Sequence, residues 1–152
     1  MKLPRPTDRL AGCVWLPRIL SKARHLQRGT LPADYAANFC HPKGVDGLFL
    51  AHFGLSREDI ISAATLSDDE VAKWFLARTG MSEKRIEEWN QTALNLGRPG
   101  YPMAERFVAA LASTYKNVAG RGLTTVFEVL DEDEKLDQPG CGGLRVCRRA
   151  SS

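Results

Sequence analysis

The chain is predicted to be all-α, a compact irregular or orthogonal bundle of about seven helices. Three observations predict it. One helix-start device recurs three times, apolar residues return at helical spacing, and no alternating run long enough for a useful strand occurs.

The starts are Leu55-Ser56 before Ile60, Leu66-Ser67 before Val71, and Met81-Ser82 before Ile86. Each Ser fits an N-cap, where its hydroxyl accepts from free first-turn N–H groups, and the flanking apolar pair fits a hydrophobic staple. Glu70, three residues after Ser67, completes a capping box; Asp59 approximates one for Ser56, while Arg85 leaves the third without it. Gly54, Gly80 and Gly97 each follow an apolar-periodic segment and suit the left-handed backbone that ends a helix. The expected helices run over 45–53, 57–64, 68–78 and 83–96.

Upstream, Pro17 fits a first helical turn, and Leu16, Ile19, Leu20, Ala23 and Leu26 line one side of a helix to Gln27, with Gly29 as its stop. Residues 30–44 contain Pro32, Pro42 and Gly44 and read as a loop with one short helical turn over 34–38. Downstream, a helix is expected from Pro102 to about Asn117, and Thr125 with Glu128 makes a weaker capping box for a last helix to about Lys135. The domain reading is one helical domain over 1–137, then a flexible basic tail over 138–152, where Gly-rich, polar composition cannot repay the entropy of ordering.

Composition bounds the function. The 152 residues are 43% hydrophobic and 26% charged, enough apolar sequence for a core, with a net charge of +3. No window approaches the roughly 18 consecutive apolar residues of a membrane span, and a secretory signal's apolar stretch is missing near the N-terminus, so a cytoplasmic protein without membrane contact is expected. The four cysteines, Cys13, Cys40, Cys141 and Cys147, are read as free thiols. Cys141 and Cys147 stand too far apart for a zinc knuckle with Cys40, His41 or His52, and neither a metal nor a cofactor is expected.

Charge is unevenly distributed. Residues 1–28 hold seven basic groups against Asp8 alone, whereas 29–100 hold seven against ten acids and 101–152 seven against seven. Arg18, Lys22 and His25 share one side of the first helix, and Arg24 and Arg28 another. With Tyr35 in the following segment, this region is the candidate anion site, since a guanidinium grips phosphate or carboxylate by a fork and an ammonium as a point charge. A solvated face paired with the chain's own acids, such as those at 131–134, is the structural alternative.

The leading functional reading is a binding or interaction module in which the Arg18, Lys22, Arg24, His25 and Tyr35 region receives an acidic small molecule or protein segment. A small enzyme acting on an anionic substrate, with Tyr35, Cys40 or His41 as proton carrier, is the alternative. A weak nucleic-acid binder comes third, because the cations spread around three sides of the helix and no groove-reading or base-stacking motif accompanies them. Asn90, beside a Trp89 that belongs to a core stripe, is expected to cap a neighbouring loop or point into a pocket. Gly97-Arg98-Pro99-Gly100 lacks the Lys-Ser/Thr ending of a phosphate loop. Oligomeric state is left open.

Several short motifs stand in a shared order: Gly12-Cys13-Val14-Trp15-Leu16-Pro17-Arg18, Lys22-Ala23-Arg24, Gly29-Thr30-Leu31, Tyr35, then a Cys, an Asp, a Phe-rich helix ending Phe53-Gly54-Leu55, and Glu88-Trp89-Asn90. Over about residues 8–97 this pattern resembles an uncharacterised bacterial family known as a domain of unknown function, family 5069. The resemblance implies a small helical protein, supplies no reaction, and directs attention to Arg18, Lys22, Arg24, Tyr35 and Trp89-Asn90. The segment from about Gly100 to Lys135 does not map onto those motifs, and the tail looks peculiar to this chain.

Overall fold

The computed structural model describes residues 2–135, and among them the secondary structure is eight α-helices and one two-stranded hairpin. The expected tail over 138–152, with Cys141 and Cys147, lies outside the described residues. The chain divides into two compact units, Met1–Asn90 and Gln91–Ser152. None of the described helices is long and apolar enough to cross a membrane.

In the first unit, β1 (Arg9–Leu10) and β2 (Cys13–Val14) pair antiparallel, with Leu10 opposite Cys13. Two-residue strands are too short for alternation to be visible, which is why the sequence pattern does not announce them. Ala11 and Gly12 turn the hairpin at φ 54 and 76, the left-handed pair that a tight hairpin turn needs. α1 (Leu16–Gln27) follows with Pro17 in its first turn. It packs on α4 and touches α2 and β1. α2 (Ala33–Asn38) is the short turn expected in the loop.

α3 (Val45–Phe53) stops at Gly54, which takes up φ 64. α4 (Arg57–Ala63) and α5 (Asp68–Leu76) both start in complete capping boxes: Ser56 with Asp59 and Ser67 with Glu70 each exchange side-chain and backbone hydrogen bonds. The shorter Asp59 thus closes its box as fully as Glu70 does. Ser82 accepts from the Arg85 N–H at 3.1 Å, leading into α6 (Glu83–Ala93).

An aromatic cluster forms the centre of this unit. Phe49 lies 5.0 Å from Phe53, 6.4 Å from Phe75 and 5.4 Å from Trp89 between ring centroids, the last edge-on. Such geometries add roughly 0.5–1.5 kcal/mol per pair beyond area burial. At its edge, His52 Nε2 lies 2.8 Å from the Arg85 carbonyl, while Arg85 Nη2 donates to the His52 carbonyl at 2.9 Å. α3 and α6 are clasped there by reciprocal bonds.

The second unit holds α7 (Ala104–Ala112) and α8 (Val126–Lys135) around buried Leu96, Val118, Phe127 and Val129. α7 is shorter than the 102–117 expected. The Ser113 backbone leaves helical geometry at φ −123 and ψ −81, and its hydroxyl donates back to the Ala109 carbonyl, a local bond that competes with continuing the helix. α8 is capped as expected, Thr125 Oγ1 accepting from the Glu128 N–H at 3.2 Å, and Thr124 adds two further bonds to the Glu128 carboxylate. Its acids find partners within the same unit: Glu132 pairs with Arg121 and Lys135.

Candidate functional site

Three candidate residues converge in the first unit on two that sequence reasoning passed over, Trp15 and Asp46. Asp46 is 2% exposed in the first turn of α3. Its Oδ1 accepts from Trp15 Nε1 at 2.7 Å, its Oδ2 accepts from the Cys40 N–H at 3.0 Å, and the Lys22 ammonium donates to both oxygens at 3.2 and 3.3 Å. Lys22 is itself only 6% exposed. A buried charge persists only when paired and hydrogen-bonded, and this pair satisfies both conditions.

The Trp15 ring supports the cations. Lys22 Nζ stands 4.8 Å and the Arg18 guanidinium carbon 5.3 Å from its centroid, within cation–π range. One turn apart on α1, both side chains reach the same ring.

Arg18 is 1% exposed, and its Nη1 donates to the Pro4 carbonyl at 2.9 Å. The segment bearing that carbonyl is no loose terminus. Leu3 and Pro6 are buried, and Arg5 with Asp8 closes a small turn, the Arg5 N–H donating to Asp8 Oδ2 and the Asp8 N–H to the Arg5 carbonyl. The face of α1 read as a candidate anion site, with a solvated charged face as the alternative, is covered at Arg18 by the segment around Pro4 and neutralised at Lys22 by Asp46.

Cys40 takes a left-handed backbone conformation, φ 57, uncommon for a residue with a side chain. That bend lets its N–H reach Asp46. Gly47 completes the seat, since a Cβ there would collide with the His41 carbonyl oxygen and lie 2.6 Å from Pro42 Cα. The half-buried Cys40 thiol is pushed up to about 12, first by burial and then by the Asp46 charge, against the pull of Arg57 and Lys22. A thiol so shifted is protonated at neutral pH and is a poor nucleophile. Buried Cys13 is likewise pushed up to about 12 by burial, and both thiols are free.

The remaining candidates lie apart from this cluster or serve other contacts. Arg24 spans the α4–α5 junction, donating to the carbonyls of Ala64 and Leu66 and to Asp68 Oδ1 at 2.9 Å. His25 Nδ1 lies 2.8 Å from Thr30 Oγ1. Tyr35 is half-buried on α2, and exposed His41 accepts from the Lys43 N–H at 3.1 Å. Asn90 caps a loop: Oδ1 accepts from the Val14 N–H at 3.0 Å and Nδ2 donates to the Gly12 carbonyl at 2.9 Å. Trp89 Nε1 adds a bond to the Val14 carbonyl at 3.0 Å, so α6 satisfies both main-chain groups of Val14.

Asp46 carried a signal that could have found it. It is the one acid in the largely apolar run Val45–Phe53, and an acid facing a core requires a cation. Among the described residues, no group of three or more His, Cys, Asp or Glu side chains is placed to hold a metal ion.

Fold and site together define a small helical protein organised around a buried Lys–Asp pair with a docked N-terminal arm. The chain belongs to the family described as Domain of unknown function (DUF5069), whose model matches residues 2–136. That span takes in the segment from Gly100 to Lys135 that the short motifs do not reach. No curated protein and no solved structure matches the chain.

Proposed function

We propose that the chain is a non-catalytic interaction module that receives an extended protein segment on α1. One observation carries this reading: Arg18, 1% exposed, already donates to a main-chain carbonyl of a proline-containing segment outside any helix, whose Leu3 and Pro6 are buried. Main-chain recognition by a fixed donor, with apolar side chains alongside, is how grooves take extended peptides. Of the two ligand classes expected here, this favours a protein segment over an acidic small molecule, because Asp46 already neutralises Lys22. The raised pKa of the half-buried Cys40 thiol weighs against Cys40 as the reactive group of the enzyme alternative, and the burial of Arg18 and Lys22 weighs against a grip on a phosphate backbone.

The test removes residues 2–8 and supplies a peptide of residues 2–10 in trans. Saturable binding to the folded truncated protein by calorimetry, weakened by Arg18→Gln, is expected. A folded truncated protein that ignores the peptide at millimolar concentration overturns the reading. If truncation prevents folding, the labelled peptide is added to the full chain, and absence of any competition with the resident arm overturns it.

A further inference from the structure

The N-terminal arm joins the rest of the first unit through a tight two-residue hinge. On the body side, β2 is held by α6: Asn90 bonds the Val14 N–H and the Gly12 carbonyl, and Trp89 bonds the Val14 carbonyl. On the arm side, the contacts of residues 2–10 include the Arg18 bond to Pro4, buried Leu3 and Pro6, packing of β1 on α1, and the short ladder pairing Arg9 with Val14 and Leu10 with Cys13.

Between them lies a two-residue turn in which Ala11 adopts φ 54. Left-handed geometry suits Gly or Asn and is strained for Ala. Short hinge loops under strain favour exchange of the element they carry, because the same contacts form between copies while the strain is released.

The arm is also prepared to act as a ligand. Pro4 and Pro6 restrict its backbone, and the Arg5–Asp8 turn holds its shape internally, so little conformational freedom is lost when it docks elsewhere. Every contact that it makes to the body is available unchanged in a second copy of this chain.

We propose that residues 2–10 exchange between two copies of the chain, pivoting at Ala11–Gly12, so that Arg18 of each copy holds the Pro4 carbonyl of the other. This names the partner of the segment-receiving face and rests on that reading.

Full-length protein, concentrated or refolded at high concentration, is followed by size exclusion with light scattering. A dimer fraction is expected, and Ala11→Gly, which relieves the turn in both copies, is expected to lower the dimer association constant by roughly thirty- to nine-hundred-fold, about five- to thirty-fold for each of the two hinges. Deleting Ala11 and Gly12 removes the tight turn and is expected to give mainly dimer, returned to monomer by adding Arg18→Gln.

A chain that stays monomeric both at high concentration and after the hinge deletion overturns the exchange. If the peptide of residues 2–10 still binds the truncated protein, the segment-receiving reading survives that failure. If the peptide fails as well, both fall. Should the hinge deletion not fold, the Ala11→Gly comparison in the intact chain decides alone, and an unchanged association constant overturns the proposal.

Discussion

The Asp46 carboxylate holds the Lys22 ammonium through both oxygens inside the first unit, while the same carboxylate fixes the Trp15 indole and the Cys40 backbone. One acid thereby ties α1, the 39–44 loop and α3 together. Asp46→Ala leaves a buried ammonium without its counter-charge and is expected to destabilise the fold by about 3–5 kcal/mol. Lys22→Met combined with Asp46→Leu is expected to lose less than the sum of the single changes. Urea unfolding of the four proteins measures the coupling, and strict additivity would contradict the pairing.

Gly47 marks the closest approach of that loop to α3. Gly47→Ala places a methyl group against backbone atoms of His41 and Pro42, which cannot turn aside as a flexible side chain would. A loss of about 1–3 kcal/mol or more is expected, with the largest amide shifts in residues 39–47. A neutral substitution would show that the loop is not seated as described.

Asn90→Ala strips the buried Val14 N–H of its acceptor and the Gly12 carbonyl of its donor. An unsatisfied buried donor costs about 1–3 kcal/mol. Hydrogen exchange at Val14 should accelerate more than exchange in α4 or α5, separating local release of the hairpin from general destabilisation.

The capping boxes give the fold an acid limit. Backbone and hydroxyl hydrogen bonds from Ser56 hold Asp59 below the usual aspartate range, with Arg78 adding to the effect, and the corresponding bonds from Ser67 do the same for Glu70. Because the folded pKa values are depressed, this stability is present above the unfolded values and is lost as pH falls through the folded ones, below about pH 4. Ser56→Ala and Ser67→Ala are each expected to cost about 1 kcal/mol at neutral pH. Chemical unfolding at pH 7 and pH 3 should find the cost of each substitution smaller in acid.

The thiols set the alkaline side. With Cys13 and Cys40 each pushed up to about 12, their contribution is complete below the unfolded thiol value near 8.5 and declines as pH rises toward the folded one. Alkylation of native Cys40 at pH 7 should run well below the rate of a free cysteine and accelerate once the chain is unfolded. Rapid native labelling would reopen the nucleophile alternative.

Legibility in the sequence followed the distance over which each interaction closes. The helix starts at Ser56, Ser67 and Thr125 were readable because each cap bond spans three residues, so residue type and spacing carry the whole signal. The α7 boundary was not, since the helix expected from Pro102 to about Asn117 is broken at Ser113 by a backbone choice that residue type does not record.

Arg18 and Lys22 were correctly located on one side of α1, but periodicity assigns a charged side to solvent. What covers that side arrives from elsewhere: Pro4 lies 14 residues from Arg18 in the chain and Asp46 lies 24 residues from Lys22. Local chemistry was therefore enough to determine the helices, their caps and the all-α class. The burial of the cations, the choice of Asp46 as the counter-charge of Lys22 and the docking of the arm depend on packing between distant segments, where desolvation rather than propensity selects the partners.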